Sequence, residues 1–170
     1  MHYVSWDRSD KDNLKLLAEN GPEVLGVFTH ERATVGDQEW ELVTSPESGA
    51  VATRAGEEIV RATGSLKRDK NIPVTVEGRG YALVNEWSKN WIVDDTAGNK
   101  VAQFTQDHNG VRKAILEFEH DAEGLTTAEI AGLSWFTRVI LDANTQGKAW
   151  AWIITLVLAS IVAILALFVF

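Results

Sequence analysis

Hydrophobic and polar residues alternate along the middle of the chain. Short apolar runs recur at intervals of about 8 to 12 residues and are separated by Gly-, Asn- and Asp-rich turns, a pattern typical of antiparallel strands. The predicted strands lie at residues 24–32, 39–44, 50–54, 58–63, 71–77, 81–87, 91–95, 100–106 and 111–119. Because no helical segment separates any two of them, the pattern predicts a mainly-β fold, an antiparallel barrel-like meander.

The period becomes helical after the last predicted strand. Thr126 or Thr127 can cap a helix whose first turn contains Glu129 or Ile130. Apolar residues then cover most of the helix circumference as far as residue 143. Since a helix that is apolar nearly all round is buried, we expect this C-terminal hydrophobic helix to lie in the core.

Residues 149–170 contain no charged side chain. As a helix, this segment is about 33 Å long, which matches a hydrocarbon layer of roughly 30 Å. Lys148 precedes the segment, and Trp150 and Trp152 stand where interfacial anchors are expected. The segment is therefore predicted to be one transmembrane helix, with no domain beyond it. A buried core helix, or the tail of a cleaved lipid-anchor signal, is the alternative.

The N-terminal region is predicted to be a short arm. Residues 9–20 fit a helix with Ser9 or Asp10 as its N-cap. Leu14 and Leu17 would lie on one face of this helix and dock on the domain. The predicted organisation is an arm (1–23), a β domain (24–148) and a transmembrane helix (149–170).

The predicted location is the cell membrane, plasma or inner, with the N-terminal domain in the cytoplasm. The first residues lack the basic and apolar regions of a secretory signal. The charges nearest the membrane segment are Arg138, Asp142 and Lys148, and their small positive excess favours the cytoplasmic side.

Composition narrows the possible partners and chemistry. The net charge is −8, and every charged side chain precedes residue 149, so the β domain should be repelled by nucleic acid. The absence of cysteine excludes disulfides, thiolate metal sites and a cysteine nucleophile. Tryptophans outside the membrane segment are predicted to be core or rim residues: Trp6, Trp40, Trp87, Trp91 and Trp135.

No active site emerges from the sequence. The histidines (His2, His30, His108 and His120) are scattered, and none is three or four residues from another. Residues 117–121 and the turn at 107–110 contain oxygen ligands for a cation, but a solvated strand end and an Asn-Gly turn explain them. The sequence has neither a GxxxxGK[ST] phosphate loop nor a GxSxG nucleophile elbow. We therefore predict no catalytic residue, no metal site and no cofactor, and a protein that is not an enzyme.

Strand-turn-strand units such as residues 90–102, followed by a strongly apolar helix, resemble the tubby-like barrels of the phospholipid scramblase and LURP-one relatives. The resemblance covers residues 24–143 and implies a closed sheet wrapped around the helix. The whole plan, a small acidic domain with a C-terminal anchor, is similar to accessory subunits of actinobacterial respiratory supercomplexes. Such subunits have no redox centre of their own, and the similarity assigns no residue a role.

Small residues line one face of the membrane segment. Thr155, Ala159, Ala163 and Ala166 recur at helical spacing, the pattern of helix-helix contacts in membranes, although alanine is also simply common there. These residues favour an accessory or assembly subunit that binds membrane protein subunits through its tail and cytoplasmic domain. The alternative is a membrane-anchored barrel that binds or moves a lipid, for which Lys67, Arg68 and Lys70 are the basic cluster.

Overall fold

The protein, described here by a computed structural model, is a closed antiparallel barrel of twelve strands with one helix. The structure describes residues 1–87, 90–105 and 115–144. The strands are β1 (Tyr3–Asp7), β2 (Leu14–Ala18), β3 (Val24–Phe28), β4 (Arg32–Val35), β5 (Gln38–Ser45), β6 (Gly49–Arg54), β7 (Glu57–Thr63), β8 (Asn71–Val76), β9 (Arg79–Trp87), β10 (Asn90–Asp95), β11 (Lys100–Thr105) and β12 (Leu116–Phe118). Residues 127–144 form the helix, α1.

Each strand pairs with its neighbours in sequence, so the barrel is an up-and-down meander. It closes where β1 pairs with β12, with Tyr3 opposite Glu117 and Val4 opposite Leu116. The period of two is visible in β8, where buried Ile72, Val74 and Val76 alternate with exposed residues. The predicted mainly-β antiparallel fold with a C-terminal helix is therefore confirmed.

The N-terminal helix predicted at residues 9–20 is wrong, because this region contributes strands β1 and β2 to the barrel. Leu14 and Leu16 are buried on either side of exposed Lys15, which is strand alternation. The carboxylate of Asp10 accepts the backbone N–H of Asp12 at 2.9 Å and so forms a local turn. This bond uses one of the two side chains, Ser9 or Asp10, that were predicted as the helix N-cap.

The single strand predicted at residues 24–32 is divided into β3 and β4. The hydroxyl of Thr29 accepts the backbone N–H of Arg32 at 3.0 Å, and the backbone N–H of Thr29 donates to the Arg32 carbonyl at 2.8 Å. These bonds close a tight turn without glycine or proline. With β1 and β2, this division accounts for the difference between the predicted strands and the twelve observed.

The helix α1 runs through the barrel. Its N-cap is Thr126, whose hydroxyl accepts the Glu129 backbone N–H at 3.1 Å while the Glu129 carboxylate accepts the Thr126 backbone N–H at 2.7 Å. This reciprocal pair is a capping box. A twelve-stranded barrel is wider than its wall side chains alone can fill, and the apolar surface of α1 occupies the space.

Glu129 also joins the helix to the barrel wall. Although only 1% exposed, its carboxylate accepts the Tyr81 hydroxyl at 2.7 Å and pairs with the Arg79 guanidinium at 2.9 Å. Burial, followed by the bond to Glu129, raises the pKa of the Tyr81 hydroxyl. One turn further along, a Cβ on Gly132 would lie 3.2 Å from Val76, so the helix approaches the wall closely.

Alternate loops of the meander lie at opposite ends of the barrel. At the capped end, where α1 begins, the loops are residues 19–23, 36–37, 55–56, 77–78, 96–99 and 119–126. At the open end, which α1 reaches at residue 144, the described loops are residues 8–13, 29–31, 46–48 and 64–70. At 1.5 Å per residue, α1 spans about 27 Å between the two ends.

Candidate functional site at the open end of the barrel

An ion pair between two side chains of α1 lies at the open end of the barrel. Arg138 and Asp142 are four residues apart and share a helix face, with the Arg138 Nε 3.5 Å from the Asp142 Oδ2. The Arg138 guanidinium lies over the ring of Trp6, 5.5 Å from its centroid. The side chains are 21% and 36% exposed, so the pair is partly withdrawn from water.

Burial acts on both charges of this pair. Desolvation lowers the pKa of Arg138, and the Asp142 carboxylate opposes that shift. Desolvation also raises the pKa of Asp142, although the positive charges of Arg138 and Arg8 favour its ionised form. Each charge of the pair therefore offsets part of the cost of burying the other.

A cavity of about 210 Å³ lies beside this ion pair. Its walls come from α1 and from the open-end loops, which contribute His30 and Pro46. Small-molecule sites commonly measure about 300–1,000 Å³, so this cavity suits a small polar group better than a large ligand.

The basic cluster of the sequence lines a second cavity at the same end, of about 180 Å³. Lys67 and Arg68 both pair with Glu47, at 3.4 Å and 3.0 Å. The carbonyl of Lys70 accepts the Asn85 backbone N–H at 2.7 Å, but its side-chain amine has no hydrogen bond or ion pair within the described part of the chain. Asn144 also lines this cavity, and its amide donates to the Leu66 carbonyl at 3.5 Å. The cluster is thus only partly neutralised, and it adjoins the end of α1.

Trp87 is the exposed tryptophan of the described structure. It ends β9 at the open end and is 75% exposed, whereas Trp6, Trp40, Trp91 and Trp135 are at most 5% exposed. The prediction of core or rim positions holds for these four, and Trp87 is the rim residue.

The residues predicted in and beside the membrane segment lie outside the described residues. They are Lys148, Trp150, Trp152, Thr155, Ala159, Ala163 and Ala166. Among residues 1–87, 90–105 and 115–144, no helix is both long and apolar enough to cross a bilayer.

The described structure also contains no group of three or more His, Asp or Glu side chains placed to hold a metal ion. The candidate ligands at residues 117–121 have other partners: Glu117 accepts the Gln103 amide at 2.9 Å, Glu119 pairs with Lys100, and Asp121 pairs with His2. The candidate turn at 107–110 lies outside the described part of the chain.

Sequence reasoning missed the local roles of Arg138, Asp142 and Trp87. The two charges were weighed only for membrane orientation, yet opposite charges four residues apart on an otherwise apolar helix predict a pair inside the barrel. Trp87 ends a run in which Tyr81 and Leu83 point inward and alternate with more exposed residues. By alternation Trp87 shares the inward face of Tyr81 and Leu83, so the sequence predicts a buried ring there. The structure instead exposes this ring at the end of the strand, at the end of the barrel where α1 finishes.

Comparisons of the chain with protein-family models, with curated proteins and with solved structures find no match, so a function has to be inferred from the residues themselves.

Proposed function

We propose that the protein is a non-catalytic accessory or assembly subunit of a membrane protein complex, held on the membrane by residues 149–170. The main support for the proposal is the uncharged apolar segment that begins a few residues after α1. Its length matches the hydrocarbon layer of a bilayer. A respiratory supercomplex of cytochrome bc and oxidase type is the complex that the architecture favours, with the N-terminal barrel in the cytoplasm.

The proposed mechanism is binding at two places. In the membrane, the small residues Thr155, Ala159, Ala163 and Ala166 allow close approach of a helix from a core subunit. Outside it, the acidic barrel binds loops of that subunit, which the positive-inside rule makes basic. Neither contact needs a cofactor or metal in this chain.

A pull-down of the tagged full chain in mild detergent tests this function. We expect recovery of membrane protein subunits in fixed ratio, with a haem absorption spectrum if the complex is respiratory. The variant Ala159→Leu/Ala163→Leu adds bulk to the small-residue face and should lose these subunits. The matched variant Ile161→Phe/Leu165→Phe adds bulk to the other face and should retain them. A clean, colourless monomer from the unmodified chain would contradict the proposal.

A second function, binding of an anionic lipid, is favoured by one specific observation. Lys67, Arg68 and Lys70 line a cavity beside the end of α1, and only Lys67 and Arg68 pair with Glu47. This arrangement fits the lipid-binding form of a tubby-like barrel.

Charge changes at the cluster test the second function. Lys67→Glu/Arg68→Glu should abolish binding to anionic liposomes if the cluster holds a headgroup, whereas Glu47→Gln should strengthen it. If both variants bind liposomes as the unmodified chain does, while complex recovery is retained, the lipid-binding function is wrong.

A further inference from the structure

The two ends of the barrel differ in charge. The described loops of the open end contain acidic and basic side chains in equal number: Arg8, Lys11, Lys67, Arg68 and Lys70 against Asp10, Asp12, Glu31, Glu47 and Asp69. The loops of the capped end have no lysine or arginine, and their acidic side chains are Glu19, Glu23, Asp37, Glu77, Glu119, Asp121 and Glu123.

Cations at the adjoining strand ends offset only part of this acidity. Arg54 pairs with Glu77 at 3.0 Å, and Lys100 pairs with Glu119. The other acidic side chains in these loops, Glu19, Glu23, Asp37 and Glu123, have no ion pair with lysine or arginine within the described residues. The negative charge of the domain is therefore concentrated at the capped end, away from the end of α1.

Chain geometry limits the distance of the open end from the proposed membrane segment. Residues 145–148 connect α1 to that segment, and four residues reach at most about 14 Å even when fully extended. Because about 14 Å is an upper limit, charges at the open end can come within a Debye length, roughly 8 Å at physiological ionic strength, of lipid headgroups. Charges at the capped end, about 27 Å further away, are screened.

We propose that the open end of the barrel rests against an anionic bilayer, with Trp87 in the headgroup layer and Lys67, Arg68 and Lys70 over the lipid phosphates. The indole of Trp87 is 75% exposed, and tryptophan prefers the membrane interface, where its apolar ring and N–H are both accommodated. This orientation places the acidic capped end away from a surface that would repel it. The inference rests on the anchor of the proposed function and adds the face that meets the bilayer.

Site-directed spin labelling of the full chain tests the orientation, since the sequence has no cysteine to interfere. Ser48 and Asp37 are both exposed and flank β5, Ser48 at the open end and Asp37 at the capped end. Each is replaced separately, as Ser48→Cys and Asp37→Cys, and labelled with a nitroxide. The proteins are then reconstituted in vesicles of phosphatidylcholine and phosphatidylglycerol, and collisions with oxygen and with a water-soluble nickel chelate are measured.

We expect the label at residue 48 to collide severalfold less with the nickel chelate, and more with oxygen, than the label at residue 37. Adding Trp87→Ala to Ser48→Cys should reduce this difference without changing the circular dichroism spectrum, because the replaced ring is exposed. Equal nickel accessibility at both positions, in protein that floats with the vesicles, would overturn the orientation and leave the anchor intact. Protein that does not float with the vesicles would overturn both.

Discussion

The two ends of the barrel differ in how they hold the polar side chains of the central helix. At the capped end, the carboxylate of Glu129 is almost fully buried and is bonded to Tyr81, Arg79 and the backbone of Thr126. At the open end, Arg138 and Asp142 form a longer, partly exposed pair beside a cavity. The capped end fixes the position of α1, whereas the open end retains charge and space for contacts outside the chain.

The largest effect should come from breaking the capped end. Glu129→Leu removes the capping box and leaves the buried Tyr81 hydroxyl without an acceptor, which should lower the free energy of unfolding by about 2–4 kcal/mol. Guanidinium unfolding of the full chain in detergent, followed by tryptophan fluorescence, measures this. Glu129→Gln keeps an acceptor and should lose less. Equal stability of Glu129→Leu and the unmodified chain would contradict the assigned role of the capped end.

The packing of α1 against the barrel wall, between the two ends, is tested at Gly132. A Cβ there would meet the side chains of Val76 at 3.2 Å and Val60 at 3.3 Å. Overpacking costs about 1–3 kcal/mol, and the higher helix propensity of alanine offsets about 1 kcal/mol, so Gly132→Ala should destabilise by about 1 kcal/mol. In a double-mutant cycle with Val60→Ala, the unfolding free energies should be non-additive, with the alanine at residue 132 costing less. Simple additivity would show that α1 does not contact this wall.

A smaller effect is expected at the open end. Arg138→Met keeps an apolar stem but removes the pair with Asp142 and the contact with Trp6, at a cost of less than about 1 kcal/mol. The same unfolding experiment measures the difference from Glu129→Leu. If Arg138→Met were the more destabilising of the two, the open end and not the capped end would hold α1 in place.

The smallest effects are differences in pH dependence between the ends. Hydrogen bonds from Asn99 lower the pKa of Asp95 at the capped end below 3.8, so its stabilisation is complete above pH 3.8 and is lost as pH falls through the folded-state pKa. Burial raises the pKa of Asp142, so its contribution to stability declines as pH rises from 3.8 through its folded-state pKa.

Unfolding of Asp95→Asn and Asp142→Asn as a function of pH checks these signs. Asp95→Asn should be closest to the unmodified chain in acid, and its deficit should grow as pH rises through the folded-state pKa of Asp95 and become constant above 3.8. For Asp142→Asn, the stability relative to the unmodified chain should increase with pH. Identical pH profiles for the two variants would show that the environments of the two carboxyls do not differ as described.

Regular alternation and helix capping made most of the fold predictable. The pairing of β6 with β7 and of β8 with β9 follows from apolar alternation around glycine-containing turns, and Thr126 was among the predicted caps. The N-terminal strands were missed because Leu14 and Leu17 also fit a helical spacing. The choice between a helix and a strand depends on pairing between β1 and β2, for example of Trp6 with Leu16. Such pairing cannot be predicted from the residues of one segment alone.

The candidate site was less predictable, because it depends on which loops meet at one end. Lys67 and Glu47 are distant in sequence and become partners only when β6 and β7 pair. Trp87 ends β9, and the structure is needed to show that this strand finishes at the same end of the barrel as α1. The membrane segment was predicted from composition alone, and it lies outside the residues that the structure describes.

The most direct test of the account is whether residues 149–170 insert in a bilayer. Membranes containing the full chain are extracted with alkaline carbonate, alongside the variant Leu158→Arg/Ile161→Arg, which places two charges in the middle of the segment. We expect the unmodified chain to stay in the membrane pellet and the charged variant to move to the supernatant with its barrel folded. Release of the unmodified chain by carbonate would contradict the anchor, and with it the accessory-subunit function and the orientation of the open end.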